Sequence, residues 1–450
     1  MKAGRRRRAR ARAHGLSFLS LSLSLCALLT GCFDFGSLKP SANSDAAVDG
    51  GSRDGATEAG TPCRKLFTPT GWSELAAAEV APCGSDLVFA AMPSPYYVIL
   101  TGMPGGAAGK VVRLAAARPL KDLRVEHVSD VVAELPVNTI SLGGEEAAAI
   151  IGTRIIIEPG VVILATGAPG ATTDSRPLVL VASNSIEVLG TLDVGADLFL
   201  PGPGRAGPDS LDGATPGAAT LWAGAGGSHG SAGGSVGTLG PGTPRAGGSV
   251  ALRRGGAGGD GRRPDPAGEW IPGGAGGGVV QLVALGSVKV GASGVVSAGG
   301  GEGYTTENRT SSTPGGGGGA GGTVVMEAPS VQIFGAVGAP GGGGASEACP
   351  VLFDCSVSLP ERGLATRAMG ASGGNRPGGC SGGAGSDKSG AAGSISAGEY
   401  ICAAGGGAGI VRIRTAPGGL TIDDEATFHP DDRGPDADLV QVREDLEATE

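Results

Sequence analysis

Thr323-Val324-Val325-Met326-Glu327-Ala328-Pro329-Ser330 leads into Val331-Gln332-Ile333-Phe334-Gly335 and Ala336-Val337-Gly338-Ala339, after which a glycine run opens at Gly341. Short runs rich in Val and Ile, broken at Pro329-Ser330 and again at Gly335, read as three strands joined by two bends. Val331 and Ile333 alternate with Gln332, so one side of the second strand faces a core and the other faces water.

The same grammar recurs along the chain. Val280 to Ser287 leads to Val288-Lys289-Val290, with Gly294 to Ala298 and more glycines after it. Leu178 to Ser185 leads to Ile186-Glu187-Val188-Leu189-Gly190 and then Thr191 to Val194, and a degenerate copy runs from Ile410 to Pro417 and on to Leu420-Thr421-Ile422. Ahead of them, Ile155 to Glu158 and Val161 to Leu164 flank a Pro159-Gly160 turn. One such unit has too little apolar area to fold alone, so units must stack on one another. The expected fold is all-β, a right-handed parallel β-helix or β-solenoid over residues 136–430, with equivalent strands about 4.8 Å apart. Aromatic residues make up only 4% of the chain, which suits a narrow interior of stacked Val, Ile, Leu and Ala. An antiparallel sandwich is the competing arrangement, because the inserts between units are irregular in length.

Those inserts are the second signature. Glycines crowd residues 224–278 and return at Gly299 to Gly301, Gly315 to Gly319, Gly341 to Gly344 and Gly405 to Gly407. Glycine loses more backbone freedom on ordering than any other residue, so mobile loops are the simpler expectation. Close-packed extended glycine helices are the other arrangement such runs allow.

The chain ahead of the repeats divides by composition. Residues 1–31 begin with Arg5 to Arg8, Arg10 and Arg12, followed by an uncharged Leu- and Ser-rich run from Gly15 to Leu29. That run is short for a permanent membrane span and reads as a secretory signal. Residues 32–62 have the composition of a flexible tether. Residues 63–135 form a small disulfide-linked N-terminal region, with a helix expected at Ser73 to Val80 and strands at Tyr96 to Leu100, Val111 to Leu114 and Leu123 to Val128. Residues 431–450 are an acidic tail whose removal should matter little unless Leu439, Val440 and Val442 cap the last turn against edge pairing.

Leu29-Thr30-Gly31-Cys32 resembles the bacterial lipobox, in which an apolar residue and two small ones precede a Cys that becomes lipidated. The resemblance implies an acylated N-terminus at Cys32 and lasting attachment to a membrane, since such a Cys carries more than one acyl chain. Cys63, Cys83, Cys349, Cys355, Cys380 and Cys402 then remain, an even number in an exported chain, and a disulfide framework of open pairing is expected. No CxxC pair and no neighbouring His suggests zinc, and no metal or cofactor is expected. The net charge of -9 argues against nucleic acid as a partner.

Several motifs invite chemistry and lack its context. Gly226-Gly227-Ser228-His229-Gly230 fits a nucleophile elbow, yet no amphipathic helix follows it. In Thr101 to Lys110, Pro104 stands where a phosphate-binding loop needs Gly, and Val111 replaces its Ser or Thr. Gly255 to Asp260 begins like a calcium nonapeptide, but Arg262 and Arg263 interrupt it. Glu158, Glu187, Asp193 and Glu327 would be the acids and bases of a polysaccharide lyase or hydrolase on a β-helix, provided they converged. Trp222 or Trp270 would serve a glycan-binding module as a stacking platform.

Gly-rich inserts joined to Ala-Pro-Ser-Val-Gln-Ile-type strands over about residues 150–425 resemble the glycine-rich, adhesin-like surface lipoproteins of myxobacteria and related bacteria. The resemblance carries no catalytic residues. It implies only a surface role; together with the lipobox, the expectation is a lipid-anchored protein of the cell envelope, in the outer membrane, with a structural or adhesive role and no enzymatic activity. The partners it suggests are the membrane lipid at Cys32 and either envelope polysaccharide or neighbouring surface proteins.

Overall fold

The computed structural model describes residues 87–89, 96–101, 112–115, 138–142, 145–166, 176–196, 201–203, 223–236, 254–262, 270–304, 315–346, 361–366, 373, 385, 391–393, 395–396, 400–430 and 439–446. These residues are all-β, with parallel strands in curled sheets. The lipobox, the tether, Trp222, the expected helix at Ser73 to Val80, the strand expected at Leu123 to Val128 and every cysteine but Cys402 lie outside them.

The chain enters through β1 (Leu87–Phe89), β2 (Tyr96–Thr101), β3 (Val112–Ala115) and β4 (Asn138–Leu142). Two long stretches follow: β5 (Glu145–Ile157) with β6 (Val161–Thr166), and β7 (Leu178–Val188) with β8 (Thr191–Asp193). After a hairpin of β9 (Gly261–Arg262) and β10 (Trp270–Ile271) come the three-strand units. These are β11 (Val279–Ala284), β12 (Ser287–Val290) and β13 (Val295–Ser297), then β14 (Thr323–Glu327), β15 (Ser330–Ile333) and β16 (Ala336–Gly338). A second hairpin, β17 (Ile395–Ser396) with β18 (Tyr400–Ile401), precedes β19 (Ile410–Arg414), β20 (Leu420–Ile422) and β21 (Thr427–His429), and β22 (Val440–Arg443) closes the set.

Successive units pair in parallel and in the register that the repeats imply. Leu180 neighbours Leu282, which neighbours Met326, then Ile413 and finally Val442. Ile186, Val288, Val331 and Leu420 form a second column, and Leu192, Val296, Val337 and Phe428 a third, on the other sheet. Apart from Val442, these columns merge in one apolar core. β7 pairs with β11 through its first half and β12 through its second, so the 11-stranded sheet bends along β7. The two-strand reading of Leu178 to Val188 therefore becomes one strand that continues through the corner. The antiparallel sandwich does not describe this body: antiparallel pairing among the described residues is confined to β2–β3, β4–β5 and the two hairpins. Between β5 and β6, Gly160 adopts a φ of 84°, the left-handed conformation that the Pro-Gly turn requires.

The first strand of each unit is buried on both faces, as the unbroken burial of β11, β14 and β19 shows. The second strand alternates, with Lys289 and Gln332 half exposed between buried Val and Ile. The segment read as an acidic tail contributes β22, which lies in register on β19. Val440 packs on the core, while Val442 is 42% exposed at the end of its column.

Candidate functional site

Among the described residues the glycine runs are hydrogen-bonded scaffold, and mobile loops do not describe them. Their chemistry starts from a requirement: a buried backbone N–H or C=O must find a partner. Residues 315–322 meet it by turning to a new neighbour at each step. Gly316, Gly319 and Gly322 donate to Tyr304, Gly301 and Ala298; Gly317 and Ala320 donate to Gly259 and Gly256; Gly318 and Gly321 donate to Ala404 and Gly407. The carbonyls follow the same period of three, with Gly316 and Gly319 accepting from Ala345 and Gly342, Gly317 and Ala320 from Gly274 and Gly277, and Gly315 and Gly318 from Gly224 and Gly227. One extended run is thus ringed by six others, and the threefold repeat is that of a polyproline II-like helix, which has no internal hydrogen bonds of its own. Glycine is needed here for space. A Cβ on Gly319 would come 2.6 Å from the carbonyl carbon of Ala275, and one on Gly300 would come 2.6 Å from that of Gly319.

Fixing each residue costs about 1–2 kcal/mol of backbone entropy, against about 1 kcal/mol net for each hydrogen bond. The bundle therefore needs attachment elsewhere. It has it at the strand end, where residues 271–278, 315–322 and 402–409 run directly into β11, β14 and β19, and residues 298–304 and 339–346 run out of β13 and β16. Cys402, at the head of the run 402–409, is disulfide-bonded, and its partner lies outside the described residues.

Buried polar side chains tie this assembly together. Asp193 on β8 is paired with Arg362, both nearly inaccessible, and its Oδ1 also accepts from Gly195 N at 2.8 Å. Ser297, one strand along in register from Asp193, accepts from Ala365 N at 3.4 Å. Arg362 and Ala365 belong to the segment 361–366, which this pair of contacts fastens to the outer side of the smaller sheet. On the larger sheet, Gln281 Nε2 donates to Glu327 Oε2 at 2.9 Å. Glu327 neighbours Arg414 in register, and Arg414 donates through Nε to Asp445 Oδ1 at 2.7 Å. Arg412 donates to Gln441 Oε1 at 3.1 Å; burial lowers its guanidinium pKa from the ordinary value, and the like charge of Arg443 adds to the effect.

Each sequence candidate can now be placed. Glu158 lies in the turn before β6 and Glu187 on the half-exposed side of β7, beside Lys289 in register. Asp193 belongs to the smaller sheet and Glu327 to the first strand of its unit, so these four carboxylates occupy separate columns and do not converge in register. Ser228 is fully buried and its Oγ accepts from Gly233 N at 2.9 Å, while His229 Nε2 and Thr323 Oγ1 share a hydrogen bond of 2.8 Å. The elbow motif thus sits in the glycine bundle, with no helix after it among the described residues. Asp260 Oδ1 accepts from Gly273 N at 3.0 Å, and Trp270 stands on β10 opposite Arg262. Among the described residues no cluster of His, Cys, Asp and Glu could hold a metal, and no helix is long and apolar enough to cross a membrane.

Sequence reasoning missed Arg362, Gln281 and Ser297. Arg362 lies outside every repeat unit, so no periodicity marks it, and the positions of Gln281 and Ser297 gain meaning only from the register of their neighbours. Comparison with protein-family models, curated proteins and solved structures finds no match to this chain.

Proposed function

We propose that this chain is a lipid-anchored cell-envelope protein, held in the outer membrane through Cys32, with a structural or adhesive role carried by the shape of its surface. Its stacked units wind as a right-handed parallel β-solenoid in this reading, the hand that parallel crossovers adopt almost without exception. The observation that supports a scaffold role most strongly is the use of its buried charge. Asp193 is engaged by Arg362 and Glu327 by Gln281, so side chains that a hydrolase would keep for substrate are spent within the fold. Anchoring is supported by Leu29-Thr30-Gly31-Cys32 after an uncharged run.

Mass spectrometry of the membrane fraction tests the anchoring. The expected result is an acylated peptide that begins at Cys32, with Cys32→Ser releasing the protein into the soluble fraction. A wild-type chain that retains Arg5 to Gly31, or that starts at an unmodified Cys32, would overturn it.

A further inference from the structure

The last rung of the stack leaves two strand edges open. Val331 donates its N–H to Gly419 at 2.9 Å and Asp423 donates to Ile333 at 2.9 Å, so the Gly419 carbonyl, the Asp423 N–H and both backbone groups of Thr421 between them face β15. Backbone groups alternate sides along a strand, and those of Leu420 and Ile422 therefore point the other way. On the smaller sheet Thr427 donates to Gly335 at 3.0 Å and His429 accepts from Ala339 at 2.8 Å, which leaves the N–H and C=O of Phe428 pointing outward too. Among the described residues no strand pairs with β20 or β21 on that side, and β22 covers β19 alone. The core is unfinished at the same place. Val331 and Ile333 are fully buried, whereas Leu420 and Ile422, next to them in register, are half exposed although they pack on the core. Beyond β22, Leu446 donates to Thr415 at 3.1 Å and Glu444 Oε2 accepts from Gly418 at 3.4 Å, so the open position beside β20 begins where β22 leaves off.

We infer that this edge accepts an extended segment of a partner protein, with apolar side chains at alternate positions and Lys or Arg at both ends, which adds to β20 and β21 as one further rung. The inference rests on the adhesive reading and names the kind of partner. Main-chain hydrogen bonds to an open edge supply affinity, and the alternate side chains that complete the core supply selectivity. The charge of the rim decides the flanks. Asp423, Asp424 and Glu425 follow β20, with Asp424 and Glu425 exposed, and exposed Glu444 stands at the other end of the open position; against them stands Arg443. A second copy of this chain docked by the same edge would bring another set of these acids against the first, which like-charge repulsion opposes. Both edges are three residues long, so the added segment must span β20 and β21 and bend between them, as residues 330–338 do one rung below.

Fluorescence anisotropy with a labelled synthetic peptide tests this. The probe carries residues 330–338, the rung that already lies beside β20 and β21 on their paired side, with Lys residues added at both ends, and it is titrated with the detergent-solubilised full chain. Saturable binding is expected, weakened by about tenfold when Glu residues replace the flanking Lys residues. Gln332→Pro within the peptide removes the N–H that would face Leu420 in the register of the stack, and should abolish binding. In the protein, Asp424→Lys combined with Glu425→Lys should erase most of the preference between the two peptides, and circular dichroism with thermal melting checks that these exposed substitutions leave the fold intact. No saturable binding, equal binding of the Lys- and Glu-flanked peptides, or binding that survives Gln332→Pro would overturn the inference. So would sedimentation in which the chain alone dimerises and the peptide dissociates the dimer, since the edge would then belong to a second copy. Because binding is measured in detergent, that failure leaves the anchoring at Cys32 standing, and failed acylation leaves this result standing.

Discussion

Gly319 donates its N–H to the carbonyl of Gly301 at 2.8 Å, and its own carbonyl accepts from Gly342 at 2.8 Å. A methyl group at Gly319 would force the Ala275 and Gly274 carbonyls away, since Cβ would come 2.8 Å from the Gly274 oxygen. Gly319→Ala should therefore destabilise the protein by about 1–3 kcal/mol in chemical denaturation, the usual scale of overpacking. Gly160 offers the opposite case, with open space around it but a φ of 84°. Gly160→Ala should cost about 1–2 kcal/mol, and Gly160→Asn should recover much of that because Asn tolerates the left-handed region. Gly319→Asn should be worse than Gly319→Ala. If Asn were equally tolerated at both positions, the glycines of the bundle would not be there for space.

The pair of Asp193 and Arg362 fastens the segment 361–366 to the smaller sheet. Removing either partner strands a buried charge, so Asp193→Ala and Arg362→Ala should each cost about 3–5 kcal/mol. The double variant should lose less than the sum, and a double-mutant cycle on denaturation midpoints measures the coupling. Additive losses would mean that the two side chains act independently.

Glu327 is fully buried on the outward side of β14, between Val283 on β11 and Arg414 on β19 in register. Glu327→Ala should cost more than Gln281→Ala, because the first removes an acceptor next to a buried arginine and the second removes only a neutral donor. The expected losses are about 2–3 and about 1 kcal/mol. Denaturant melts of the two single variants decide the order, and the reverse order would contradict this account of the column.

Much of the stack was legible because its signal is local. Pro159-Gly160 marks the turn between β5 and β6, and the alternation of Val288, Lys289 and Val290 sets which side of β12 faces the core. The glycine runs were not legible in the same way. A run such as Gly315 to Gly319 has no side chains to carry a pattern, and whether it is loop or lattice depends on six other runs far away in sequence. The charged columns were hidden for a related reason: Val179, Gln281, Val325 and Arg412 share one outward column, and nothing short of the register puts an apolar, a polar and a charged residue in line.

Cys402 is bonded at the head of the glycine run that leads into β19. Reduction should loosen that run first. With dithiothreitol present, hydrogen exchange of the amides from Ala403 to Gly409 should accelerate before that of Val324 to Met326, and global stability should fall by about 2–4 kcal/mol. Equal acceleration of both sets would place the disulfide's effect on the strands instead of the bundle.

A crystal structure of the protein tests the central claim most directly. The account predicts Leu180, Leu282, Met326 and Ile413 stacked on adjacent parallel strands, with Gly315 to Gly322 ringed by six hydrogen-bonded neighbours. Antiparallel pairing of β11 with β14, or glycine runs separated by solvent with no direct backbone bonds between them, would contradict it.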